Sequence, residues 1–270
     1  MKIKLIAGTP HPERLVCLAA RNDYRAEGVI DHSFAEIMDG VKVDDDVVDE
    51  LRIEWFDDDD IARDDPWDAM PAAFRTEAEQ RSLLKHTMNE GHWGVFEHPQ
   101  ATLALEGITR TAMAQITRHR HFTFDIMSLR YVTLDFDSVE EMKERFAEPD
   151  EITAEEAVSR HGVKTIDMDP EEREELWWET IAHTAHTYNT LVEAGVPQEE
   201  ARKVLGMGTK VNIMMSGNAR AWMHLLNIRG KANVQGEARD IADGVMGEMK
   251  EWMPYVFTRY DDMLPLRLNP

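Results

Sequence analysis

The spacing of apolar and polar residues changes along the chain, and the changes mark out its elements. Residues 2–7 (KIKLIA) alternate, the period of a half-buried strand. Pro10 and Pro12 then open a helix over about 12–27, with Leu15, Val16, Leu18 and Ala19 as its apolar positions. A helix is expected over 72–91, stopped at Gly91 because glycine accepts the left-handed conformation that ends helices. Residues 99–106 read as a strand, 108–118 as a helix and 131–136 as a strand. A long helix over 172–194 carries Trp177, Trp178, Ile181 and Leu191. Pro197 starts another helix, 208–217 reads as a strand, and 218–228 and 236–253 close the chain as helices. Strands and helices do not alternate in βα order. The pattern therefore predicts an α+β fold, a mixed sheet flanked by long helices. No repeat or linker appears, so residues 1–270 read as one domain. Acidic insertions interrupt it at about 31–66, which includes Asp57, Asp58, Asp59 and Asp60 and reads as solvated, and at about 138–170.

Charge refines this picture. The chain carries 52 acids against 30 basic residues, a net charge of −22. That balance argues against a nucleic-acid or anionic-membrane partner, since phosphate binding needs a basic face. Arginines outnumber lysines 20 to 10. Acid-rich, lysine-poor surfaces suit high salt, where counterions screen the self-repulsion, so a halophilic source is expected. The single cysteine, Cys17, excludes a disulfide framework and a cysteine-rich zinc module. No apolar run approaches the roughly 18 residues of a membrane span. The N-terminal segment is too soon broken by prolines for a signal peptide, and a cytoplasmic location is expected.

The acids are unevenly spread. Residues 107–131 hold one acid, Asp125, against four arginines; residues 201–236 hold none against six cations. The two windows carry +3 and +6, which leaves −31 on the rest. At the average density, 36 consecutive positions would hold about seven acids. Buried segments lack charges of both signs, so burial does not explain windows that keep their arginines. The two islands point to one anion site assembled from two segments, because a cationic cleft draws anions even into an acidic protein.

Three constellations carry candidate chemistry. The densest is RHRHFTFDIMSLRY, Arg118 to Tyr131. Guanidinium forks match phosphates and carbonyl edges. If RHR is extended, Arg118 and Arg120 face one way and His119 the other. Gln115, three residues before Arg118, shares its helical face and could read a pyrimidine edge. The second is GHWGVFEH, Gly91 to His98. His86, His92 and His98 stand six apart, which does not bring metal ligands to one helix face, so no metal is expected. The third runs from Ser216 to Glu237. Ser216 or Asn218 serves as a helix N-cap, with Arg220, His224 and Arg229 along the helix that follows. Cys17 lies in an apolar helical pattern and reads as a buried thiol rather than a nucleophile. With no GxGxxG and no GxxxxGK[ST], a nucleotide must be held by side chains.

Taken together, these residues resemble the flavin-dependent thymidylate synthases. Arg118-His119-Arg120, seven residues and Ser128 match that family's signature. GHW…FEH, Gln115, Ala201-Arg202, Asn218-Ala219-Arg220, Asn227-Ile228-Arg229 and Gln235-x-Glu237 follow in the family's order, over roughly residues 2–27 and 72–258. The resemblance implies an obligate homotetramer with active sites between subunits. It implies FAD, reduced nicotinamide nucleotide (NADPH or NADH), methylenetetrahydrofolate and dUMP, giving dTMP without a cysteine nucleophile. It puts FAD against His92, Gly94, Arg118, His119, Arg120, Asn218, Arg220 and His224. It puts dUMP against Gln115, Arg118, Ser128, Leu129, Arg130, Arg202 and Arg229, and gives Arg229 the catalytic role of stabilising the uracil ring as N3 ionises. Four positions depart from the common pattern. Gly94 stands where Ser or Thr is usual, Ile126 where Glu is, His224 where Asn is and Asn233 where His is.

Overall fold

The structure is a computed structural model, and it describes residues 1–56, 66–132, 134, 136, 138–149, 168–231 and 233–264. Its centre is an antiparallel sheet in the order β1-β2-β4-β3, formed by β1 (Lys2–Gly8), β2 (Gln100–Thr109), β4 (Lys210–Asn218) and β3 (Thr123–Ile126). All three strand pairs run antiparallel, which corrects the mixed sheet expected from sequence. The helices between strands return each chain segment in the opposite direction, so no parallel βα crossover arises.

Side chains alternate across the sheet. Ala101, Leu103 and Leu105 of β2 and Val211, Ile213 and Met215 of β4 are buried on one face. Onto it pack α9 (Ala219–Arg229) and α10 (Gly236–Trp252), through Trp222, Leu225, Leu226, Ile241, Val245 and Met249. Alpha helices α1 (Pro12–Asn22) and α4 (Ala72–Asn89) add Val16, Cys17, Leu84 and Met88. Each such side chain removed from water contributes about 1.5–3 kcal/mol. Gly217 is required at one close approach: a Cβ there would stand 2.5 Å from the Phe122 ring, which in turn packs edge-on against Trp222 at 4.6 Å.

The acidic stretches hold more structure than their composition suggests. In the first, α2 (Phe34–Met38) and α3 (Asp45–Trp55) bury Ile37, Met38, Val47 and Leu51. The stretch is thus not simply solvated; Leu51 packs with Phe74 and Ala78 of α4. The expected aspartate run, Asp57 to Asp60, lies outside the described residues. The helix expected to reach residue 27 ends at Asn22. Arg21 and Arg25 turn to donate to the last carbonyls of α2, at Ile37 and Glu36, both 2.8 Å away, satisfying groups that a helix end leaves open.

In the second stretch, α6 (Val139–Arg145) and α7 (Pro170–Glu193) are helical, and 150–167 lie outside the described residues. One face of α7 builds a second small core, in which Ile181, Ala185 and Tyr188 meet Leu129, Leu134, Phe136, Phe146, Ala201 and Leu205. No strand forms at the described positions of 131–136. Leu134 and Phe136 are buried in the small core with α7, while Tyr131 and Val132 are both exposed. Short α8 (Gln198–Ala201) follows Pro197 as expected. Sequence reading missed α2, α3, β3 and the closing α11 (Pro254–Met263). No helix among the described residues is long and apolar enough to cross a membrane.

Candidate active site

The two electropositive islands meet. Arg118, His119, Arg120 and His121 from the first, and His224, Ile228 and Arg229 from the second, line one cleft of about 470 Å³. The first group follows α5 (Arg110–Ile116) and the second runs down α9 to its last residue. RHR is not an extended strand, as one expectation had it, but the turn that ends α5. The predicted split of its side chains survives nonetheless: His119 is buried while Arg118 and Arg120 are exposed. The turn does this because the His119 N–H donates to the Ile116 carbonyl, tucking the imidazole inward.

Arg229 is held by three hydrogen bonds. Its Nε donates to His119 Nε2 at 3.0 Å, Nη1 to Gln115 Oε1 at 2.9 Å and Nη2 to the Gln115 carbonyl at 2.6 Å. A guanidinium has five N–H donors. Two are therefore uncommitted among the described residues and can meet a ligand. Gln115 accepts from Arg229 through Oε1, so its amide NH₂ remains to donate. His119 accepts at Nε2 and so is neutral, with its proton on Nδ1. Burial lowers its pKa to about 4, helped by the nearby Arg229, His224 and His121. Burial and then Arg118 also lower the pKa of Arg229. The His119 and His224 rings meet edge-on at 5.7 Å.

Among the described residues, no carboxylate pairs with Arg118, Arg120 or Arg229. Three guanidinium groups without an acid partner are unusual in a chain of net charge −22. The arrangement fits a multiply charged anion, as the pyrophosphate of a dinucleotide or a nucleotide phosphate would be.

The other predicted residues lie elsewhere. Asn218 caps α9, its side chain accepting from the Ala221 N–H at 2.8 Å. Arg220, two residues along, is paired with Glu97 at 2.7 Å. His92 and Gly94 line a second cavity, about 720 Å³, with His86, His98 and residues of α1. Three histidines spaced by six thus share a cavity, which the spacing argument did not foresee. Among the described residues, however, no three His, Cys, Asp or Glu converge to hold a metal ion. The third locus joins Ser128, Leu129, Arg130 and Arg202. Leu129 is anchored in the core beside α7. Ser128 Oγ accepts from the Arg130 N–H at 3.3 Å. Arg130 pairs with Glu199 at 3.0 Å, and Arg202 Nε donates to the Glu199 carbonyl at 3.4 Å. One glutamate therefore connects two of the four arginines expected at dUMP.

Sequence reading did not single out His121, Ile228 or Glu97. His121 stands two residues past His119 and Glu97 sits inside the GHW…FEH run, so both carried a signal. Of the departing positions, His224 lines the cleft, while Ile126 and Asn233 are exposed away from it. Cys17 is fully buried, and burial pushes its thiol pKa far up, which keeps the reactive thiolate form scarce.

Comparison with known proteins identifies the family. The family model described as Thy1, thymidylate synthase complementing protein, matches residues 4–255. The flavin-dependent thymidylate synthase of Haloarcula marismortui is 37% identical over 273 residues, covering 100% of this chain and 98% of that protein. That of Halobacterium salinarum is 33% identical, with the same coverage of both chains, 100% and 98%. The flavin-dependent thymidylate synthase of Geobacter sulfurreducens is 28% identical over 95% of this chain and 85% of that protein. The first two relatives come from halophiles, in keeping with the acid-rich, lysine-poor composition.

Proposed function

The chain belongs to the Thy1 family of thymidylate synthase complementing proteins, and from that premise we propose that it is a flavin-dependent thymidylate synthase that converts dUMP to dTMP. The carbon comes from methylenetetrahydrofolate and the electrons from NADPH or NADH. The observation that carries this reading is the cleft where Arg118, Arg120 and Arg229 converge without acid partners.

Arg118, Arg120, Asn218, Arg220 and His224 would hold FAD, with His92 and Gly94 beside its ring and His119 behind the arginines. Bound FAD would supply the redox chemistry between the nicotinamide and the carbon being transferred. The chain's own residues prepare the nucleotide. Arg130, Arg202 and Arg118 supply charge for its phosphate, and Ser128 and the Leu129 backbone complete that end. Gln115 offers its free amide to a uracil carbonyl. Arg229 directs its two uncommitted N–H donors at the ring edge where negative charge develops as N3 loses its proton. A fixed cation aimed at developing charge lowers the barrier without reorganising during the reaction. Neutral His119 keeps the guanidinium in plane without neutralising it. No step needs a thiol, in keeping with the burial of Cys17.

The three loci are separate sets of residues in one chain, and the reading we favour has them completed between subunits of a homotetramer, each subunit a single catalytic domain. The test is to purify the protein in molar KCl, add FAD and follow its visible absorption, then follow NADPH oxidation with and without dUMP. A yellow protein whose oxidation rate depends on dUMP is expected. A protein that takes up no FAD, or whose rate ignores dUMP, would overturn the reading.

A further inference from the structure

Glu237 lies in the first turn of α10, eight residues beyond Arg229, and touches none of the cleft. Its carboxylate reaches back to the far end of α5. One oxygen accepts from the Thr109 N–H at 2.7 Å, and the other accepts from the Thr109 hydroxyl. That hydroxyl simultaneously accepts from the Ala112 N–H at 3.0 Å, capping α5. A hydroxyl that donates to one partner and accepts from another has its rotor fixed. The N-terminus of α10 also favours a carboxylate at this position.

The opposite end of α5 carries Gln115, which Arg229 grips through both its side chain and its carbonyl. A closed ring results, running from Glu237 through Thr109 and α5 to Gln115, across to Arg229, and along residues 230–236 back to Glu237. A helix of only seven residues is thus clipped at both ends to a single segment, 229–237. The Arg110 and Thr111 N–H groups also donate to the Thr209 and Met207 carbonyls, so losing the Glu237 clip removes two of the holds on the start of α5 and loosens that end without freeing it.

We propose that Glu237 is a positioning residue, which sets the register of Gln115 against Arg229 and so the seat of the uracil ring. The inference rests on the proposed roles of Gln115 and Arg229 in holding dUMP. It differs from a purely structural role, because the Thr109 hydroxyl caps α5 whether or not Glu237 is present.

The test uses FAD-loaded protein and reads dUMP affinity by titration calorimetry, dTMP turnover, FAD content and thermal stability. Glu237→Ala removes both hydrogen bonds of the clip, and Thr109→Val removes the one made by the hydroxyl together with the α5 cap. Both are expected to retain FAD, to weaken dUMP binding at least about 10-fold and to lower turnover by a similar factor or more, since displacement of about 1 Å can cost 10²-fold. The double variant is expected to lose less than the two single losses combined, because the Thr109 hydroxyl and Glu237 share one hydrogen bond. Thr109→Ser, which keeps the hydroxyl, should restore affinity. Loss of thermal stability alone, with affinity and turnover within about 2-fold of the parent in both single variants, would overturn the proposal. If the parent protein itself does not bind dUMP, the premise fails and the proposal with it. If the parent binds and the variants match it, only the positioning role fails.

Discussion

Arg229→Ala separates a catalytic role from a structural one because the structure sets different scales for each. The side chain gives three hydrogen bonds, to His119 Nε2, Gln115 Oε1 and the Gln115 carbonyl. A hydrogen bond to a charged group contributes about 1.5–3 kcal/mol when dry. Here the group is only partly buried and Arg118 repels it, so the fold should lose about 2 kcal/mol in all. For a domain of this size that is a fall in Tm of roughly 4–8 °C, small enough to leave the protein folded at room temperature. Loss of one fixed stabiliser of developing charge costs about 10²–10³ in kcat. Arg229→Lys sharpens the contrast. Lysine keeps the charge but cannot span His119 and Gln115 with one nitrogen, so turnover should stay at least about 10-fold below the parent. The assay is dTMP formation by FAD-saturated protein in molar KCl, with melting curves on the same samples. An alanine variant that binds dUMP and turns over within about 3-fold of the parent would refute the reasoning.

Three further outcomes are expected. Cys17→Ala should keep dTMP synthesis and lose about 1 kcal/mol from a small core cavity; abolished turnover in a folded, FAD-loaded variant would show that the thiol takes part. His119 has a folded pKa of about 4 against an ordinary 6.5, so acid uptake favours the unfolded chain between those values, and stability should fall as pH drops from about 6.5 towards 4. At pH 5 this contributes about 1–2 kcal/mol, and melting curves of His119→Asn should fall less steeply with acid than those of the parent; parallel curves would contradict the neutral, buried imidazole. The charge of −22 predicts that molar KCl raises Tm over low salt; equal or greater stability at low salt would contradict the screening argument.

The parts of the molecule legible in the sequence are those where one local signal decides. Alternation placed β1 and β2, and the stop at Gly91, whose φ is +73°, fell where glycine was needed. The missing acids located the cleft before any geometry, because a segment that must host an anion cannot carry its own carboxylates. What was not legible depends on partners far along the chain. The alternating 131–136 is not a strand at its described positions, since its buried side chains find α7 and not a neighbouring backbone. Helices α2 and α3 were masked by their acidity, part of which pairs with α4, where Glu54 meets Arg81 and Asp46 meets Lys85 beside the buried Leu51. The antiparallel direction of the sheet is not written in any strand, because direction is set by how the helices return the chain. Likewise nothing in Gln235-x-Glu237 announces a reach back to Thr109 across 128 positions.

The central claim is tested most directly by isotope transfer. Purified protein would be given dUMP, NADPH and methylenetetrahydrofolate labelled in its methylene carbon, with and without FAD, and the nucleotide product separated and counted. The account predicts dTMP carrying one labelled carbon per molecule, formed only when FAD is present and lost with Arg229→Ala. NADPH consumed by FAD-loaded protein with no label in dTMP would contradict it.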